Sequence, residues 1–425
     1  MPLPTASAHD DPASPAFPTG TTLAPDLLSE LPHDAAFALW QVLRCVELWT
    51  AEPEGARREV FDRAYMERWE RSLLTGPLEP EARFPLAVVV SELAAATAGG
   101  GRLPWACVCV ADWALGRGAR RAGLAFAEAA ARTAPQQPRY AWLAGRLLRG
   151  HGNARDGERW LRRAHRLAVV QRDWETQARS LTSLGNVCLE TGRYPEARGY
   201  HSRALRISRR FRLREQEAMA LHDLFVIASV EGSRGEAERY ARGALEAYGP
   251  FDRRIPALAH DLAYSWMEQG YFARALSLFS ALRPYFSRPN EELRMVASAG
   301  RAAAFGGDRV RFDALRADAE ELVPRLETSE TLAASLLDLA WGAVALRAWE
   351  TATELATRAG EVARSRSESD TVVFADLVIA AAERKDASEI DRVSPVRITA
   401  GAGGEQLAED FVATLDRARA RAGAA

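Results

Sequence analysis

Lysine is nearly missing from this chain. Lys385 is the one lysine among 55 basic residues in 425, so arginine carries almost all the positive charge. A GC-rich coding sequence produces that bias. So does a preference for the two parallel bonds that a guanidinium gives a carboxylate or phosphate. A net basic field is missing too. With 57 acidic residues the net charge is −2, which excludes the global attraction to phosphate on which nucleic-acid binders rely. Cysteine is scarce: Cys45, Cys107, Cys109 and Cys188 are the four. Their spacing fits neither a zinc site nor a disulfide framework, and the expectation is reduced, partly buried thiols in a cytoplasmic protein. No apolar run is long enough to span a bilayer, and no apolar signal core opens the chain, so neither a membrane nor a secretory route is expected.

Enzyme signatures are missing as well. There is no G-x-S-x-G elbow, no phosphate-binding GK[ST] loop, no H-E-x-x-H and no dinucleotide glycine fingerprint. Gly99-Gly100-Gly101 precedes Pro104 rather than following a strand, and reads as linker. No catalytic residue, metal or cofactor is expected. A hydrolase built from scattered carboxylates would leave no such signature.

What is present is an ordinary globular composition, 48% apolar and 26% charged, and a repeated pattern. The pattern is clearest from Leu181 to Leu205, LTSLGNVCLETGRYPEARGYHSRAL. Leu181, Leu184, Gly185 and Cys188 fall on one helical face. Gly192 ends that helix, since glycine enters the left-handed conformation without a Cβ penalty. Pro195 sits in the first turn of the next helix, where its missing N–H costs nothing. Ala197, His201, Ala204 and Leu205 then form a face of mostly small residues. Small residues let two helix axes approach, and the large neighbours fill the gaps.

This hairpin resembles a tetratricopeptide repeat of bacterial type. The resemblance rests on Leu181, Leu184, Gly185, Gly192, Tyr194, Ala197 and Ala204, in order. The same pattern returns at about 35–40 residues, somewhat above the usual repeat length of about 34. Aligned on the small residue of the second helix, the units meet at Ala122, Gly157, Ala197, Ala237, Ala275, Phe312 and Ala352. The matching turn positions hold Gly152, Gly192, Gly232, Gly270 and Gly307, with Arg117 and Arg347 in the first and last units. Phe312 stands where alanine is expected. The fold the resemblance implies is all-α: a right-handed α-solenoid of about seven hairpins.

Around the array, residues 1–30 are rich in Pro, Ala, Ser and Thr and are expected to be disordered. Residues 31–100 read as a helical bundle capping the apolar end of the array, with Asp34 as a helix cap and Trp40, Trp49 and Trp69 in the core. The array covers 101–384, closing on a lone helix at Thr371–Arg384. Residues 385–425 read as a linker and an amphipathic helix carrying Leu407, Phe411 and Leu415, which either folds back or binds a partner.

Stacked hairpins set every first helix on the concave wall of a superhelix. By that register the groove holds Arg139, Trp142, Arg146, Arg179 and Asn186, then His222, His260, Tyr264, Arg294 and Arg301. Asn186 follows Leu184-Gly185 directly, a place where peptide-binding members of the family grip a ligand backbone. Its amide offers a donor and an acceptor together. A bond to a neighbouring helix is the alternative. The arginines make either an anion-seeking groove or a solvated face paired with Glu190 and Asp223. His222-Asp223 and His260-Asp261 repeat in register, but two histidines fall short of a zinc set, and polar lining or ordinary packing is the simpler reading.

The resemblance implies a non-enzymatic scaffold whose groove captures a peptide segment or partner protein, with acidic segments suited to the arginines. The helical bundle ahead of about seven repeats also resembles the peptide-sensing Rap regulators. A regulatory subunit of a larger effector or enzyme complex is the further alternative. No helix-turn-helix lies in residues 31–100, which argues against direct control of DNA.

Overall fold

Among the described residues, the seven turns that join the two helices of a hairpin close in the same way. At each, the residue after the turn donates its N–H to the carbonyl five positions back: Ala119 to Ala114, Asn153 to Leu148, Arg193 to Cys188, Ser233 to Ala228, Tyr271 to Trp266, Asp308 to Ala303, Ala348 to Ala343. This is the Schellman closure, which needs a left-handed residue just past the helix. Gly118, Gly152, Gly192, Gly232, Gly270 and Gly307 supply it, with φ between +70° and +86°. Arg347 supplies the seventh at φ +57°. The first unit therefore does have its glycine. It is Gly118, one place after Arg117, and the small residue that matches it is Gly123 rather than Ala122: Gly123 donates its N–H to Ala119 O as Gly157 does to Asn153 O, and an added Cβ there would stand 3.1 Å from the Ala111 carbonyl oxygen.

The computed structural model describes residues 29–76, 78–95, 101–286, 288–326, 331–366, 368–386, 388 and 404–423. Residues 1–28 of the expected disordered tail, and most of the expected linker, lie outside them. Among the described residues there are twenty α-helices and no strand. The protein is an all-α solenoid of hairpins. It divides into two compact units, Met1–Gln216 and Glu217–Ala425.

The first unit opens with α1 (His33–Ala51), a single turn α2 (Arg57–Val60), α3 (Arg63–Thr75) and α4 (Pro80–Ala95). Asp34 lies inside the first turn of α1 rather than capping it. Asp62 is the cap that works, accepting the Tyr65 N–H at 2.8 Å and starting α3. Three hairpins follow: α5 (Leu103–Gly116) with α6 (Arg120–Thr133), α7 (Pro138–Gly150) with α8 (Ala154–Gln171), and α9 (Trp174–Glu190) with α10 (Tyr194–Phe211). One buried cluster runs from Leu39 through Trp49, Leu86, Val110 and Phe126 to Ala164, so the leading helices share the core of the first hairpins. Each large apolar side chain buried in it contributes about 1.5–3 kcal/mol. Glu30 closes this end, accepting the Arg121 and Ala122 N–H groups at the start of α6.

The second unit begins within α11 (Arg214–Val230). It continues with α12 (Arg234–Tyr248), α13 (Ile255–Glu268) with α14 (Phe272–Leu282), α15 (Pro289–Phe305) with α16 (Arg309–Leu322), and α17 (Leu332–Ala345) with α18 (Trp349–Ser365). Phe312 is accommodated at its small-residue position because its partners are small. A Cβ on Gly342 would stand 2.9 Å from the Phe312 ring. The lone helix α19 (Ser369–Arg384) packs on α18. The last helix, α20 (Glu405–Gly423), folds back on α14, α12 and α13. It buries Leu407, Phe411 and Leu415 and pairs Asp410 with Arg242 at 2.7 Å.

Candidate functional site

First helices of successive hairpins lie side by side, so a side chain on one meets the side chain about one repeat further on. In the first unit, Trp142 on α7 donates its indole N–H to Ser183 on α9 at 3.0 Å. Arg149 pairs with Glu190 by the same offset of 41 residues. That register sets Asn186 opposite Gly145-Arg146. Arg146 and Arg179 both stand over the Trp142 ring, 5.4 and 5.1 Å from its centroid. A cation over an indole is attracted by its π-face. Trp142, Arg146 and Arg179 thus come together, with Asn186 in register on the next first helix, and Arg139 instead stacks on Tyr140.

Their ionic partners separate them. Arg179 holds Glu175 at 2.7 Å and Glu215 at 3.8 Å. Arg146 has no carboxylate within salt-bridge distance among the described residues. Partial burial lowers its pKa from the usual arginine value, Asp112 opposes that, and the cations Arg149 and Arg179 add to it. The group remains charged at neutral pH, with Asp112 as its largest charge influence and the two paired arginines beside it. The Asn186 Oδ1 is buried with no hydrogen-bond partner among the described residues. A solvent-excluded acceptor of this kind costs about 1–3 kcal/mol until something donates to it.

In the second unit, Asp261 on α13 gathers both expected histidines. His222 Nε2 lies 3.0 Å from Asp261 Oδ2, and His260 Nδ1 lies 3.4 Å from Oδ1. Burial alone would raise the Asp261 pKa. The hydrogen bonds and charges of the two imidazoles outweigh it and hold the carboxyl well below the usual range. His260 is itself packed edge-on between Phe279 and Phe286. Arg301 is equally committed, with Glu268 at 3.0 Å and Asp338 at 3.1 Å. Among the described residues no cluster of three or more His, Cys, Asp or Glu side chains is placed to hold a metal ion.

Beside these rungs lies a cavity of about 540 Å³, walled by Phe225, Val226, Val230 and Tyr264 and reached by Arg294 and Gln269. Of the expected groove residues, Tyr264 and Arg294 line it, and His222, His260 and Arg301 do not. Ser183, Gln269 and the apolar wall on α11 were not legible as site residues. Only the 36- to 41-residue offset between first helices, visible as Ser229–Ser265 and Trp142–Ser183, could have flagged them.

Residues 139–210 match the tetratricopeptide-repeat family model, which places the match on α7 to α10. A signal-transduction ATPase of the STAND class with a tetratricopeptide-repeat sensor, from Pyrococcus horikoshii, superposes with a TM-score of 0.51. It is 13% identical, over 93% of this chain and 68% of that one. The apo form of RapI is 10% identical with a TM-score of 0.46, over 68% of this chain and 99% of that one. BtubC from P. vanneervenii is 19% identical with a TM-score of 0.43, over 50% of this chain and 91% of that one. No curated protein matches by sequence. Residues 139–210 are tetratricopeptide repeat, and over the rest of the chain, at these identities, the likeness is one of fold. No helix among the described residues is long and apolar enough to cross a membrane.

Proposed function

We propose that the protein is a non-enzymatic scaffold that captures an acidic peptide segment, free or within a partner protein, on the first helices of its first unit. The observation that supports this most directly is Arg146. It is a cation beside Arg149 and Arg179, stacked on Trp142, and left without a carboxylate within salt-bridge distance among the described residues. An incoming carboxylate gains a charge-assisted bond there without breaking an existing salt bridge. Asn186 sits in register with it and offers a buried acceptor to a peptide N–H. The helices are fixed by packing before any ligand arrives, so little ordering cost falls on the protein's side.

The experiment is a titration of the full chain against an immobilised library of acidic and neutral peptides, followed by calorimetry on the tightest acidic one. Replacing Arg146 and Arg179 together with alanine should weaken that peptide by about tenfold or more, from the loss of charged hydrogen bonds. Asn186→Ala should weaken it without changing its dependence on salt. Equal capture of acidic and neutral peptides, or an affinity indifferent to Arg146, rules out this assignment.

A further inference from the structure

The cavity of the second unit combines two features that its own side chains leave unanswered. Its walls are apolar: Phe225 is fully buried at its back, whereas Val230 and Tyr264 are 56% and 38% exposed. Large apolar side chains open to water around a cavity of about 540 Å³ have the size and character of a small-molecule site. Its charged groups are also unequally engaged. Two carboxylates line it, but Asp261 is engaged by His222 and His260, and Glu268 by Arg301. Arg294 lines it with no carboxylate within salt-bridge distance among the described residues. Arg294 is thus the charged group of the lining that has no ionic or hydrogen-bonded partner of opposite sign within reach among the described residues.

The polar edge adds a second, independent demand. Gln269 donates its Nε2 to Ser265 Oγ at 2.9 Å, and Ser265 donates onward to Ser229 Oγ at 3.0 Å. The two serines hold the amide in place, and its Oε1 is left buried without a hydrogen-bond partner. A cationic ligand would meet Arg294 and find both carboxylates taken. A purely apolar one would leave Arg294 and Gln269 unanswered.

We propose that this cavity binds a small apolar or aromatic carboxylic acid that also carries one N–H donor, with the carboxylate on Arg294, the donor on Gln269 Oε1 and the body against Phe225, Val226, Val230 and Tyr264. It uses none of the residues of the peptide surface proposed for the first unit.

The test is calorimetry on the full chain with four probes of one shape. These are indole-3-propionate, its amide, its 1-methyl derivative and tryptamine, which keep, remove or reverse one feature each. The acid should bind at one site per chain, and its amide about tenfold or more weaker, as loss of a charged bond implies. The 1-methyl acid should bind several-fold weaker, and tryptamine should not bind. Arg294→Gln should bring acid and amide to equal affinity, with an unchanged melting temperature confirming the fold. Val230→Glu, on the exposed rim, should abolish binding of the acid, its amide and the 1-methyl acid, and leave the acidic peptide of the first unit bound as before. The proposal is overturned if no acid in the series binds, if acid and amide bind alike, or if Arg294→Gln keeps the preference for acid.

Discussion

Gly145 and Gly157 meet backbone to backbone. A Cβ built on either would stand 2.8 Å from the carbonyl oxygen of the other. The two helices of this hairpin cross with no side chain between them, and neither backbone can give way as a flexible side chain would. Gly185 makes the same kind of close approach to a side chain, its hypothetical Cβ falling 2.3 Å from the His201 imidazole.

The same substitution should therefore have opposite signs at two glycines. Gly157→Ala forces helices apart and should cost about 1–3 kcal/mol, as overpacking does. Gly199 lies on the exposed face of α10 with nothing within 4 Å of an added Cβ. Gly199→Ala should stabilise by about 0.5–1 kcal/mol through lower backbone entropy in the unfolded chain. Urea midpoints of the two variants against the parent settle it, and two shifts of the same sign would contradict the close contact.

Arg347 holds the left-handed turn position that glycine fills in the other six hairpins. A non-glycine residue pays about 1–2 kcal/mol there. Stacking of Arg347 over Trp349, 5.7 Å away, returns part of that. Arg347→Gly should raise stability by up to about 1 kcal/mol, and Gly192→Ala should lower it by a similar amount, both read from thermal unfolding.

Arg301 and Arg146 look alike in sequence, each on the face of a first helix. Arg301→Met strands Asp338, a largely buried carboxylate at 3.1 Å, and should cost about 3 kcal/mol. Arg146→Met breaks no salt bridge and should stay within about 0.5 kcal/mol of the parent. Chemical denaturation of both variants distinguishes a structural rung from a binding group. A large loss at Arg146 would remove the reason for assigning it to a ligand.

Asp261 should tie the second unit to pH. Its pKa in the folded state is depressed below the unfolded value of about 3.9. The stability it contributes is therefore complete above pH of about 4, and drains away as pH falls through the folded value. Asp261→Asn should melt several degrees lower at neutral pH, and the gap to the parent should close on acidification below about pH 4. Parallel melting curves for the two proteins across that range would show that the two histidines do not hold this carboxylate.

The chain's own chemistry determined the hairpin and its repetition. Gly192, Pro195 and Ala197 specify a turn, a helix start and a close approach through residues only a few positions apart, and such local rules can be read from sequence. Phe312 already lay beyond that reading, because what makes room for it is Gly342, thirty positions on in the chain. The division among the groove arginines lay further still. Arg301 and Arg146 carry the same group on equivalent faces, and one is spent on two carboxylates while the other has none. That difference is decided by which side chain a neighbouring helix brings within about 4 Å, a matter of axial register between helices some forty residues apart. Local pattern fixes the helices. Only their stacking fixes which charges cancel inside the protein and which remain for something else.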